Sequence, residues 1–194
     1  MKSPKLAAIV ILAIVAGLPS TAYAATMDHV VAELTTESIS PNQSQQTFFS
    51  HPPQLIRAAA TQTGVYAPST YEFTLTVPQN AGQPLKAVTI AQVENTETVK
   101  FDISDSKAFF GEQLTASSEI RLASIGGNNP SKSGEVTIVF DKPVQPGSTV
   151  TVAISAQRNP SWANVYLFGV TAYPVGDDGL GQFLGYGRLN FYGD

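Results

Sequence analysis

The chain has 194 residues with 43% hydrophobic composition, and its fifteen Asp/Glu outnumber eleven Lys/Arg to give a formal net charge of −4. This length fits one domain, alone or with a tail. The absence of cysteine excludes disulfides, thiolate metal sites, a cysteine nucleophile and a lipid-modified cysteine. Because the charge is acidic and Lys/Arg do not cluster, we expect neither nucleic acid nor an anionic membrane surface as a partner.

The first 24 residues have the pattern of a signal peptide. Lys2 and Lys5 precede the apolar run Leu6–Leu18, and Ala22-Tyr23-Ala24 has the small residues of a cleavage site. The apolar run is shorter than the ~20 residues of a membrane-spanning helix, so an uncleaved anchor is the less favoured alternative. We therefore expect export to the periplasm, cell surface or exterior, with no membrane insertion after cleavage.

Residues 25–47 are rich in Ser, Thr, Gln and Glu, and their apolar cluster is limited to Val30, Val31 and Leu34. This composition predicts a flexible N-terminal arm. One hypothesis for its role is self-association, in which the arm adds as a strand to the sheet of a neighbouring copy.

Residues 48–194 alternate apolar and polar residues in short runs about ten residues apart. This spacing predicts a single antiparallel β-sandwich, immunoglobulin-like or jelly-roll-like, with seven or eight strands. The runs are Tyr71–Val77, Ala87–Val93, Val99–Ile103, Ile120–Ile125, Val136–Phe140, Val150–Ile154, Val165–Val175 and Phe183–Tyr192.

Three segments need separate interpretation. Leu55–Ala60 follows Pro52-Pro53 and fits either a helical turn or a short strand. Asp105–Phe110 breaks the period of two, which predicts one short helical turn capped by Asp105 that places Phe109 or Phe110 on the core. The last two runs carry aromatic residues on both faces, which predicts a largely buried hairpin at the centre of the sandwich.

Four pairs or groups of segments resemble one family. They are YEFTL at 71–75 with NAGQPL at 80–85, FDISD at 101–105 with AF at 108–109, FDKPV at 140–144 with PGSTV at 146–150, and RNP at 158–160 with YLFGV at 166–170 and FLGYGR at 183–188. Together they resemble an uncharacterised family of exported cyanobacterial proteins, domain of unknown function 2808. The resemblance implies export, a cyanobacterial envelope location and an all-β domain, and it transfers no catalytic residues.

The sequence contains no recognisable catalytic set. Its two histidines are His29 and His51, and a Gly-x-Ser-x-Gly elbow is absent. We therefore predict no catalytic residues and no cofactor, with an envelope hydrolase using carboxylates as the least favoured alternative. Asp177 and Asp178 could offer oxygen ligands to calcium, but they lack the spacing of a calcium loop and fit a simple turn as well.

The single tryptophan, Trp162, lies in a loop with Arg158 and Asn159. An exposed indole there would offer a flat apolar plate to a sugar ring, and Asn159 and Arg158 could hydrogen-bond its hydroxyls. The alternative is that Trp162 folds back over the core. The leading hypothesis is thus a non-enzymatic exported structural or interaction domain that binds an envelope protein or polysaccharide, or a second copy. A carbohydrate-binding module is the alternative.

Overall fold

The structure is a computed structural model that describes residues 46–93, 95–125, 133–176 and 178–193. The predicted signal peptide, residues 25–45 of the predicted arm, and Asp177 lie outside the described residues. No helix in the described part of the chain is both long enough and apolar enough to cross a membrane.

The described residues form two antiparallel sheets. The first has the strand order β1-β2-β7-β4, and the second has the order β5-β6-β3-β8-β9. One turn of 3₁₀ helix, Ala116–Ser118, lies between β4 and β5. The strands are β1 (Gln54–Ala60), β2 (Ser69–Thr76), β3 (Leu85–Gln92), β4 (Phe101–Phe110), β5 (Leu122–Ile125), β6 (Glu135–Val144), β7 (Thr149–Ala156), β8 (Asn164–Pro174) and β9 (Gln182–Phe191).

The predicted β-sandwich is confirmed, with one correction to its strand count. Nine strands are present among the described residues, whereas seven or eight were predicted. The additional strand is β1, the segment for which the sequence allowed two conformations. It is extended because it pairs along β2, with Ala58 opposite Phe73, and prolines are tolerated just before such an edge strand.

The core lies between the two sheets. Tyr71, Phe73 and Leu75 of β2 are fully buried because alternate residues of a strand project to the same face. Phe168 of β8 meets them from the other sheet, with ring centroids 5.5 Å from Tyr71 and 5.9 Å from Phe73. The predicted alternation therefore places the large aromatic side chains in one cluster.

The helical turn predicted over Asp105–Phe110 is wrong, because this segment is the second half of β4. Asp102 lies opposite Ser155 and Lys107 lies opposite Ala153, so the intervening residues form a bulge. Asp102 Oδ1 accepts hydrogen bonds from the main-chain N (3.1 Å) and the hydroxyl (2.6 Å) of Ser104. Local side-chain bonds of this kind compete with the regular ladder. They explain why the period of two breaks without a helix.

The final hairpin is also placed differently from its prediction. β9 is the edge strand of the five-stranded sheet, and Phe183 and Tyr186 are 56% and 57% exposed. Thr171 lies opposite Phe183 and Val170 lies opposite Gly185, so one residue of β9 is extra at this point. That bulge turns Phe183 and Tyr186 to the same outer face, where their rings make an edge contact with centroids 5.0 Å apart. The hairpin is therefore buried on its inner face only.

Candidate functional site

Three loops and the residues after β9 meet at one end of the sandwich. The loops are residues 61–68, 95–100 and 157–163, and we call this surface the Trp162 end. Main-chain bonds join its parts: Tyr66 N donates to Pro160 O (3.3 Å), Val65 N donates to Tyr192 O (3.0 Å), and Tyr192 N donates to Thr63 O (2.8 Å). The Trp162 end thereby presents three exposed aromatic side chains, Tyr66, Trp162 and Tyr192.

Asn159 is the residue that fixes the 157–163 loop. It is fully buried, and its side-chain amide donates to the main-chain oxygens of Gln62 (2.9 Å) and Gly64 (2.7 Å). Its Oδ1 accepts a 2.9 Å hydrogen bond from the phenol of Tyr71. Both amide protons are therefore used inside the protein, as buried polar groups require. The prediction that Asn159 bonds a sugar is wrong, because its side chain does not reach the surface.

Trp162 follows this fixed segment and is 64% exposed. Of the two positions that the sequence left open, the ring takes the solvent-facing one and does not cover the core. Its main-chain oxygen accepts a 3.3 Å hydrogen bond from the phenol of Tyr166. The indole is thus a flat apolar surface on a backbone that is held from both sides.

Arg158 lies between an aromatic ring and a carboxylate. Its Cζ is 6.0 Å from the ring centroid of Tyr66, within the range of a cation–π contact, and its Nη2 is 3.8 Å from Oε1 of Glu97. Glu97 Oε2 also accepts hydrogen bonds from the hydroxyl and the main-chain N of Ser161. These two bonds to Ser161, and then the charge of Arg158, lower the pKa of Glu97 against the opposing effect of burial.

A cleft of about 250 Å³ opens beside this group, lined by residues 97–100, Gln157, Arg158 and Pro160. Lys100 is exposed on its wall, and no ion pair to it is found within the described part of the chain. Its main-chain oxygen accepts a 3.0 Å bond from Gln157 N. The cleft therefore carries two cationic side chains, those of Lys100 and Arg158, on backbone that is tied down.

Tyr66 has a backbone φ of +61°, and it is the one non-glycine residue with positive φ within the described ranges. This left-handed conformation costs an L-residue roughly 1–2 kcal/mol. Because the ring is exposed, its burial stabilises the fold too little to offset this conformational cost. Strain of this kind is typical of residues that a binding site requires. Tyr66, Tyr192 and Glu97 were not predicted from the sequence, although Gly64 and Pro68 around Tyr66 mark a turn.

The other candidate residues are not assembled into a site in the described structure. The main-chain oxygen of Asp178 accepts a hydrogen bond from Thr47 N (3.3 Å), and calcium at Asp177 and Asp178 stays a prediction. Among residues 46–93, 95–125, 133–176 and 178–193, no group of three His, Asp or Glu side chains could hold a metal ion. His51 donates from Nδ1 to the main-chain oxygen of Asn80 (3.0 Å).

The chain is similar to several solved structures at low sequence identity. An uncharacterised protein from Nocardia farcinica with an immunoglobulin-like fold is 17% identical, with a TM-score of 0.42 over 70% of this chain and 96% of that one. The collagen-binding subdomain of the Enterococcus faecalis surface protein ACE is 8% identical, with a TM-score of 0.39 over 76% and 97%. A cohesin module from a Clostridium perfringens family 33 glycoside hydrolase is 12% identical, with a TM-score of 0.32 over 73% and 98%.

Among curated proteins, none is significantly similar to this chain. A family model does match, and it covers residues 46–191. This range contains both sheets and the whole 157–163 loop, together with all the segments that carried the resemblance in the sequence. The chain belongs to the family described as protein of unknown function (DUF2808).

Proposed function

We propose that this protein is an exported, non-enzymatic interaction domain of the cell envelope. The observation that carries the proposal is the rigid presentation of exposed aromatic rings at the Trp162 end. The buried hydrogen bonds of Asn159 hold the backbone that carries these rings. Because this part of the protein is already ordered, it loses less conformational entropy when a ligand binds. Export rests on the signal-peptide pattern of residues 1–24.

The ligand class that this surface favours is an envelope or extracellular polysaccharide. Sugar rings have apolar faces that stack on indole and phenol rings, while their substituents hydrogen-bond to nearby polar groups. Trp162 supplies the exposed plate, and Arg158 of the same loop lines the cleft. Without Asn159, which is buried, the polar part of the site consists of Arg158 and the residues of the cleft.

The test is retention of the mature chain, residues 25–194, on insoluble envelope polysaccharide. Trp162→Ala should abolish retention and leave the melting temperature nearly unchanged, because the exposed ring contributes little to folding. Phe110→Ala is the matched control, since Phe110 is also exposed but lies at the end of β4 remote from the Trp162 end. Retention by Trp162→Ala, or a large fall in its melting temperature, would contradict the proposal.

Assembly state tests the structural variant of the same proposal. Size exclusion with light scattering on the native mature protein should give a monomer if the domain acts by binding a polysaccharide. Large regular assemblies would instead favour a structural role through self-association. Deletion of residues 25–45 then decides whether the arm causes the assembly, since that hypothesis requires the deleted protein to be monomeric.

A further inference from the structure

We propose that the ligand of the Trp162 end is an anionic polysaccharide, whose carboxylate or sulfate group enters the cleft between Arg158 and Lys100 while a sugar ring stacks on Trp162. This inference rests on the proposed polysaccharide binding and adds the charge of the ligand to it. It also adds Lys100 and Tyr66 to the residues that form the site.

The charge distribution supports an anion in this cleft. The chain as a whole is acidic, with a net charge of −4, yet two of its eleven cationic side chains line one cleft of about 250 Å³. The acid on the same wall is Glu97, whose Oε2 already accepts two hydrogen bonds from Ser161. Its Oε1 lies 3.8 Å from Nη2 of Arg158, too far for a hydrogen bond, so the N–H donors of Lys100 and Arg158 remain available to a ligand.

Arg158 contacts two groups at the Trp162 end and remains accessible to a ligand. The Tyr66 ring lies 6.0 Å from its Cζ, and Glu97 holds one guanidinium nitrogen at 3.8 Å. The side chain nevertheless stays 62% exposed. A guanidinium has five N–H donors in a planar fork that matches a carboxylate or a sulfate. Holding the fork before binding reduces the entropy lost when the anion arrives.

The strained backbone of Tyr66 fits the same role. Its positive φ places the ring against Arg158 and not in the core. The ring is 58% exposed and therefore contributes little buried apolar surface to the fold. Tyr66 N also donates to Pro160 O (3.3 Å), so the strained residue both ties its turn to the 157–163 loop and places its ring beside Arg158.

The size of the cleft limits what it can accommodate. A volume of about 250 Å³ is below the roughly 300–1,000 Å³ of pockets that enclose a whole small ligand. It suits one charged substituent of a sugar, with the rest of the chain lying outside across Trp162. The rest of the domain is acidic and repels a densely charged ligand. We therefore expect a polysaccharide with spaced anionic groups to bind better than a polymer with a dense run of phosphates, and nucleic acid is not the favoured ligand.

The experiment measures the affinity of the full mature chain for three soluble polymers. Polygalacturonate supplies carboxylates, dextran sulfate supplies sulfates, and dextran is neutral. We expect binding to at least one of the anionic polymers and none to dextran. Affinity should fall at least about tenfold between about 0.05 and about 0.5 M salt, because screening weakens exposed charge pairs.

The variants separate this inference from the proposed function. Arg158→Gln and Lys100→Gln should each weaken anionic binding, by about tenfold where a charge-assisted pair is lost, while Lys142→Gln, near the far end of β6, should have no effect. Arg158→Lys keeps the positive charge but loses the planar fork of guanidinium donors, so it should give an intermediate affinity. Melting temperatures check that every variant is folded. If dextran binds as well as the anionic polymers, or if Arg158→Gln keeps full affinity, the proposal of an anionic ligand is overturned. The proposed polysaccharide binding still stands in that case if Trp162→Ala abolishes the binding. Failure of the wild type to bind any polymer would overturn both.

Discussion

The phenol of Tyr71 donates a 2.9 Å hydrogen bond to Oδ1 of Asn159 and joins β2 to the loop that carries Trp162. Both residues are fully buried. Burial, together with the nearby Tyr166 and Glu97, raises the pKa of Tyr71 far above its ordinary value. The phenol therefore remains a donor at every physiological pH. This bond links the aromatic core of the sandwich directly to the position of its exposed aromatic surface.

Removing this bond should destabilise the fold. Tyr71→Phe leaves Oδ1 of Asn159 buried without its donor, which costs about 1–3 kcal/mol in free energy of unfolding, measured by denaturant titration. Tyr166→Phe is the matched control, because the Tyr166 phenol makes a longer bond of 3.3 Å to the main-chain oxygen of Trp162. We expect a smaller loss for the control, and equal losses would contradict the special role of the Tyr71 bond.

The strain at Tyr66 predicts an unusual order of stability. Tyr66→Gly and Tyr66→Ala both remove the ring, but only glycine adopts the φ of +61° without steric cost. Tyr66→Gly should therefore be more stable than Tyr66→Ala by about 1 kcal/mol, although glycine is normally the less stabilising residue. Thermal unfolding of the two variants measures the difference. An alanine variant of equal or greater stability would show that the backbone relaxes at this position.

The carboxylate of Glu97 predicts a dependence of stability on pH. Because its hydrogen bonds to Ser161 lower its pKa in the folded state, its stabilising contribution is complete above the pKa of the unfolded chain. It is lost as the pH falls through the lowered folded-state pKa. Glu97→Gln keeps the shape and removes the charge, so its deficit in free energy of unfolding, about 1 kcal/mol at neutral pH, should shrink in acid.

The comparison that checks this is a pair of denaturant titrations at neutral pH and below the ordinary glutamate pKa. Glu112→Gln serves as the control, since Glu112 is exposed and has no ion pair within the described residues. A deficit of Glu97→Gln that stays constant over this range would show that the charge does not contribute.

β9 passes close to the first sheet at Gly187. A Cβ there would lie 2.7 Å from Cε1 of Phe73 and 2.9 Å from Cβ of Ala58. Gly187→Ala should therefore lower the free energy of unfolding by about 1–3 kcal/mol through overpacking. Gly64→Ala is the control, because an added Cβ at Gly64 meets no atom within 4 Å. A Gly187→Ala protein of wild-type stability would mean that β1 and β9 separate easily.

The alternation of apolar and polar residues predicted the strands well where only one face of the strand is buried. Tyr71, Phe73 and Leu75 alternate in the sequence and are all fully buried, because period two is a property of the strand itself. The same reasoning failed for β4, where the side chain of Asp102 binds Ser104 and forms a bulge in the strand. A break in alternation has the same appearance in the sequence whether a bulge or a helical turn causes it.

The sequence by itself determined the β class, the sandwich and most of its strands, because these follow from neighbouring residues. It did not determine which residues near Trp162 face solvent. Asn159 and Trp162 are three positions apart, and the first is fully buried while the second is 64% exposed. Only the tertiary structure decided this, since the partners that bury Asn159 lie 88–97 residues away. Such distant pairings depend on the register and closure of the two sheets, which local periodicity does not encode.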